Sequence, residues 1–147
     1  MFRPLPPLLF LVCLGLALAL HLWWPLLTWA PRPYSLAGLL LLPPGLWLLI
    51  RASGLFNRIG TNIHTFRDPD VLVTDGPFRL SRNPMYLGFL LVLLGGCIAL
   101  GTLTPLLACV GFALVANFWY VPFEERACAA RFGDAYQRYC ARTRRWL

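Results

Sequence analysis

Two short stretches hold most of the side chains that could do chemistry. The first, SRNPMYLGF at residues 81–89, sets Arg82 and Asn83 directly against Pro84 before an almost pure hydrocarbon run. The second, NFWYVPFEERACAARFGDAYQRYC at residues 117–140, places adjacent Glu124 and Glu125 just beyond another apolar run. In the first, Asn83 is expected to cap a helix whose first turn holds Pro84, because proline has no amide hydrogen to orphan there and its fixed φ suits the position. A helix start offers unpaired amides and a positive dipole end to a carboxylate or phosphate, and Arg82 adds a guanidinium fork. Capping alone, with Arg82 turned to lipid headgroups, would account for the same residues. In the second stretch the neighbouring carboxylates point about 100° apart on a helix, so one can face the interior while the other faces water or an arginine. An acidic pair favoured by a helix start after Pro122 is the simpler alternative.

The elements that position these stretches are set by hydropathy. The chain has 147 residues, 59% hydrophobic and 13% charged, with mean hydropathy +0.64, which excludes an ordinary water-soluble domain. A helix needs roughly 20 apolar residues to cross the hydrocarbon core, and about four blocks qualify. They are residues 5–30, 34–50, 84–100 and 103–121; the expected fold is all-α and integral to the membrane, in a single domain over 1–147. The first block could instead be a signal peptide, but it is long for an h-region and runs on through His21, Trp23, Trp24 and Trp29, which read as an interfacial belt. Pro43-Pro44-Gly45 should kink or break the second block. Gly88, Gly95, Gly96 and Gly111 are expected to bring the third and fourth helices close, with Gly101 and Thr102 making a tight hairpin between them.

All 13 basic residues are arginine. Apart from Arg3 and Arg32 they fall in the 52–83 loop, at its edge, or after the fourth block, and every acidic residue shares that side. The positive-inside rule then makes both termini, the loop and the candidate site cytoplasmic, in the inner membrane. A formal net charge of +7 points to anionic headgroups, with no nucleic-acid partner expected. The five cysteines show no disulfide framework or metal spacing, and His21 and His64 are far apart, so no metal is expected. In the loop, Val71-Leu72-Val73-Thr74 is β-prone, Asp75-Gly76-Pro77 signals a turn, and Phe66 and Phe78 argue for order over the helix ends. Beyond the glutamates, Cys128, Phe132, Ala135, Tyr136 and Tyr139 recur at helical spacing, predicting a basic amphipathic helix on the membrane within a 122–147 tail, with a bend at Gly133. The hairpin should bring Arg82 near Glu124 and Glu125, with Tyr86, Phe118, Trp119 and Tyr120 around them.

LVTDGPFRLSRNPMYLGF followed by EERACAARFGDAYQRYCARTRRW resembles the membrane methyltransferases that include isoprenylcysteine carboxyl methyltransferase and the phospholipid N-methyltransferases. That resemblance implies a cytoplasm-facing pocket for S-adenosylmethionine, with S-adenosylhomocysteine as product. The family pattern falls on Gly76, Arg82, Pro84, Tyr86 and Gly88, and on Glu124, Glu125, Phe132, Gly133, Tyr136, Tyr139 and Arg145. The implied cofactor-binding residues are Arg82, Asn83, Pro84, Tyr86, Gly88, Glu124, Tyr136 and Arg145, with Arg145 on a lid; the implied catalytic residues are Glu124, Glu125 and Tyr120. Asn83 stands where the isoprenylcysteine enzymes carry histidine, Asp70 where a histidine is usual, and Tyr120 where an arginine is usual. The acceptor is thus left open among a phospholipid amine, an isoprenoid thiol or carboxylate, and a hydrophobic thiol. A non-catalytic assembly or lipid-binding protein of the same architecture is the rival from another class, and the oligomeric state is not legible.

Overall fold

The computed structural model describes residues 5–59 and 71–147, with the side chains of Asn57 and Ile59 left aside. Expectations placed on Arg3, His64, Phe66, Arg67, Asp68 and Asp70 lie outside the described residues. Helix α1 spans Pro6–Trp23, α2 Leu42–Ile59, α3 Pro84–Leu100, α4 Pro105–Val115, α5 Val121–Phe132 and α6 Asp134–Arg142. Single 3-10 segments at Tyr34–Leu41 and Gly76–Arg79 and a π-helical turn at Ala116–Tyr120 complete the order. Pro6–Trp23, Tyr34–Phe56 and Leu106–Phe132 are long and apolar enough to cross a membrane, and Pro84–Leu100 is a shorter apolar helix. This is an all-α membrane protein.

The first span is shorter than its apolar run. α1 stops at Trp23, and Trp24 leaves the helical region at φ −143° because Pro25 follows and crowds an α conformation at the residue before it. Residues 24–29 fold onto the α3–α4 hairpin instead. Trp29 N–H donates to Gly101 O at 3.2 Å, Leu103 N–H to Leu26 O at 3.1 Å, and Thr104 Oγ1 to Trp24 O at 2.8 Å. His21 Nδ1 meets Thr102 Oγ1 at 2.8 Å. Gly101 ends α3 at φ +75°, a left-handed conformation, and a Cβ there would lie 2.7 Å from Ala30 O.

The second block is continuous rather than broken. Its front half is 3-10, and Pro43 and Pro44 enter the first turn of α2, where missing amides do no harm. α2 then runs to Ile59, so the connection to α3 begins later than residue 52. Val71-Leu72-Val73-Thr74 forms no strand; among the described residues no strand edge lies beside it for its β propensity to pair with.

α3 is central, packed against the second span on one side and against α1 and α4 on the other. Its glycines serve the second span, not α4 as the sequence suggested. A Cβ on Gly95 would meet Gly38 O at 2.6 Å, and one on Gly88 would meet Gly45 O at 2.8 Å. These two reciprocal glycine pairs let the backbones touch, where lipid offers no hydrophobic drive and close packing carries the association. Gly96 and Gly111 have nothing within 4 Å of an added Cβ. On the other side Cys13, Leu93, Cys97, Phe112, Ala116 and Tyr120 form the buried core, while leucines and tryptophans along α1 and the second span stay exposed for lipid.

The helix of the fourth apolar block does not end at Val121. α4 passes through the π turn into α5 without a break, carrying the chain across Pro122 to Phe132. Pro122 cannot donate to Phe118 O, and its ring would crowd that carbonyl in a regular helix; the wider turn, in which Val121 N–H reaches Ala116 O, relieves the conflict. The expected bend at Gly133 is present, at φ +49°. The α6 stripe differs from the sequence expectation. Tyr136 and Tyr139 are buried with Ala52, Val73 and Phe78, with Cys128, Phe132 and Cys140 against them, so this face covers protein rather than lipid.

Candidate functional site at the charged end of the bundle

Because α3 begins where α5 leaves the bundle, Arg82 and Glu125 meet. An Arg82 guanidinium nitrogen lies 2.9 Å from Glu125 Oε1, both side chains being only 16% and 17% exposed. Arg145 closes on the same carboxylate, with Nε donating to Oε1 at 3.2 Å and a terminal nitrogen pairing with Oε2. One carboxylate thus stands between two guanidinium groups in a largely buried place. Arg82 Nε is buried with no hydrogen-bond partner among the described residues. A buried N–H without an acceptor is costly, and it marks where an anionic oxygen would be welcome.

The two glutamates therefore differ. Glu125 is committed to Arg82 and Arg145, while Glu124 accepts a hydrogen bond from Tyr86 Oη at 2.8 Å. The Tyr86 ring stacks on Tyr120 at 5.9 Å, and Tyr120 stacks on Trp119 at 5.1 Å. Tyr120 is 1% exposed and Trp119 43%, so the three rings lead from the lipid-facing surface to Glu124. The π turn supplies Trp119 and Tyr120, and such turns recur at functional sites.

Asn83 is the N-cap of α3 by position, but its side chain does not cap. Asn83 Nδ2 donates to Arg145 O at 3.1 Å, and its own amide donates to Ser81 Oγ at 3.1 Å. The reason is that an acceptor-rich strand of chain, residues 143–147, lies alongside. Arg82 N–H donates to Arg144 O at 3.0 Å and Ser81 Oγ to Arg145 O at 3.0 Å. Pro84 occupies the first turn as expected and is buried. Gly88 faces Gly45, where its missing side chain lets α3 and the second span pack closely. Tyr136 lies behind the cluster; burial pushes its pKa well above the usual tyrosine value, Glu125 raises it further and Arg82 lowers it. Tyr139 is pushed up likewise by burial, and its hydroxyl donates to Phe78 O at 2.7 Å.

Sequence reasoning missed Ser81, Asn117 and Trp146. Trp146 Nε1 donates to Asn117 Oδ1 at 3.0 Å. An amide side chain within an apolar span was the available signal for Asn117; nothing local marked Trp146. Among the described residues no group of three or more His, Cys, Asp or Glu is placed to hold a metal ion.

An apolar helical bundle with an arginine–glutamate cluster and stacked aromatic rings at one end defines an integral membrane protein. The chain matches the phospholipid methyltransferase family over residues 34–135, and it belongs to that family. The match takes in the second span, both glycine pairs, Arg82, Tyr86, Tyr120 and the two glutamates, but stops before Arg145. A Haemophilus influenzae protein described only as uncharacterized is 41% identical over 63 residues, spanning 43% of this chain and 100% of that one. No solved structure matches significantly.

Proposed function

We propose that this methyltransferase uses S-adenosylmethionine and methylates a lipophilic acceptor that reaches the site sideways from the bilayer. The observation that carries the reading is Glu125 ion-paired to two guanidinium groups with Arg82 Nε buried and without a hydrogen-bond partner among the described residues, which suits the cofactor's carboxylate. When bound, S-adenosylmethionine supplies an electrophilic methyl group on a sulfonium. Arg82 holds the carboxylate beside the start of α3, and Arg145 shields it. Glu125 keeps the two guanidinium groups in register. Glu124, oriented by Tyr86 Oη, holds a ribose hydroxyl or takes the proton that the acceptor loses. The Tyr86 and Tyr120 faces favour positive charge near the reacting end and exclude water. With the methyl group already activated, alignment is the main contribution left to the chain, worth up to roughly 7–11 kcal/mol of barrier.

The family's description favours a phospholipid acceptor, and the exposed Phe118 and Trp119 mark a lipid-side approach. The arginine-rich end is assigned to the cytoplasm by its charge. Calorimetry on detergent-purified protein tests the reading. S-adenosylhomocysteine should bind, Arg82→Ala and Glu124→Gln should each weaken it, and absence of binding at millimolar ligand would overturn the proposal. Labelled methyl transfer to a total lipid extract, with the product identified by mass spectrometry, then identifies the acceptor.

A further inference from the structure

Residues 143–147 touch the cluster through several bonds, and nearly all of them come from the cluster's own residues. Ser81, Arg82 and Asn83 bind the Arg144 and Arg145 carbonyls, and Glu125 binds the Arg145 guanidinium. A ligand that recruits Arg82 or Glu125 competes with those ties. One polar tie stands apart: the Trp146 indole N–H on Asn117 Oδ1, at 3.0 Å and part-buried. The Trp146 ring packs against the core that holds Tyr86, Tyr120 and Val121, so it closes over the same wall the aromatic ladder forms. Asn117 belongs to the π turn, in an apolar span where an amide is tolerated only with a partner. An indole N–H is a donor only, and Asn117 is its acceptor here.

We propose that Asn117 is a positioning residue: through Trp146 it keeps residues 143–147 docked, and Arg145 over Glu125, while Arg82 is engaged by ligand. The latch as a step in binding rests on the reading of the cluster as the methyl-donor site, but the docking itself can be tested without it. The Arg82 amide reports on it directly, because its acceptor is Arg144 O at 3.0 Å.

The experiment is hydrogen exchange at the Arg82 amide in detergent-purified protein, with S-adenosylhomocysteine affinity measured in parallel. Trp146→Phe keeps a smaller aromatic ring and removes the N–H; Asn117→Leu removes the acceptor with the same side-chain branching and heavy-atom count. Each should speed Arg82 exchange by roughly three- to tenfold, as expected for one net hydrogen bond. Amides inside α3 should stay protected, which separates undocking from unfolding. Asn117→Asp, which retains an acceptor oxygen, should restore near wild-type exchange, and the double variant should exchange no faster than the faster single one. S-adenosylhomocysteine should bind each single variant more weakly by a comparable factor. Wild-type exchange rates in both single variants, or multiplied effects in the double variant, would refute the tie. Loosened docking with unchanged affinity would refute its part in binding. Wild-type protein that binds no S-adenosylhomocysteine would instead sink the donor reading, with the exchange data still deciding the latch.

Discussion

Replacing Glu125 by glutamine removes one negative charge and leaves two guanidinium groups facing each other. Arg82 and Glu125 are 16% and 17% exposed, close to the buried limit, where breaking an ion pair costs about 3–5 kcal/mol. Arg145 is 39% exposed and can turn to water, so its share belongs nearer the exposed limit of about 0–1 kcal/mol. Those shares add to about 3–6 kcal/mol, but the glutamine amide oxygen still accepts a hydrogen bond from a guanidinium, which offsets about 1–3 kcal/mol and leaves an estimate of about 2–3 kcal/mol. At about 2–4 °C per kcal/mol for a chain of this length, the unfolding midpoint should fall by roughly 5–10 °C. Glu124→Gln keeps an acceptor for Tyr86 Oη, so the weakening of that hydrogen bond should contribute only about 0.5–1 kcal/mol. Thermal unfolding of both variants in the same detergent, followed by circular dichroism, makes the comparison. Adding Arg145→Gln to Glu125→Gln should recover part of the loss, since it removes one of the repelling charges. A Glu125→Gln midpoint no lower than that of Glu124→Gln would refute the reasoning, and so would a double variant worse than the sum of its parts.

Neighbouring glycines in α3 should respond with opposite signs. Gly95→Ala pushes a methyl to 2.6 Å from Gly38 O and should destabilise by about 1–2 kcal/mol net of helix propensity, whereas Gly96→Ala, with open space, should stabilise by up to about 1 kcal/mol; thermal unfolding distinguishes them. Tyr139→Phe should cost about 1 kcal/mol and loosen α6, detectable as faster hydrogen exchange at 134–142. Alkaline titration should undock α6 as well. Tyr136 and Tyr139 are raised above their ordinary value of 10.0 by burial, so their contribution is full below pH 10 and is lost as pH rises beyond it and the undocked form ionises; tyrosinate absorbance should appear together with loss of protection at 134–142.

Legibility tracked range along the chain. Asn83-Pro84 marked the start of α3 within a residue, because proline's missing amide is a local fact, and Gly133 marked the bend for the same kind of reason. Pro25 and Pro122 were equally visible, yet their consequences differed. Pro25 ended α1, while Pro122 was absorbed by a π turn that keeps the helix going to Phe132. Which outcome a proline produces depends on whether neighbours hold the helix on both sides, and only packing supplies that.

The amino-acid sequence by itself determined that the chain is a helical membrane protein, that its charges gather at one end, and that an arginine before α3 faces two carboxylates beyond the fourth apolar block. Apolar run length and charge placement are additive along a chain, so they survive without knowledge of contacts. Tertiary structure decided the pairings. It gave Glu125 to Arg82 and Arg145 and Glu124 to Tyr86, turned Asn83 away from capping toward Arg145 O, set Gly88 against Gly45, and brought Trp146 to Asn117 across 29 residues of sequence. Each is a choice among partners of similar chemistry, and distance in the folded chain, which no local pattern encodes, makes that choice.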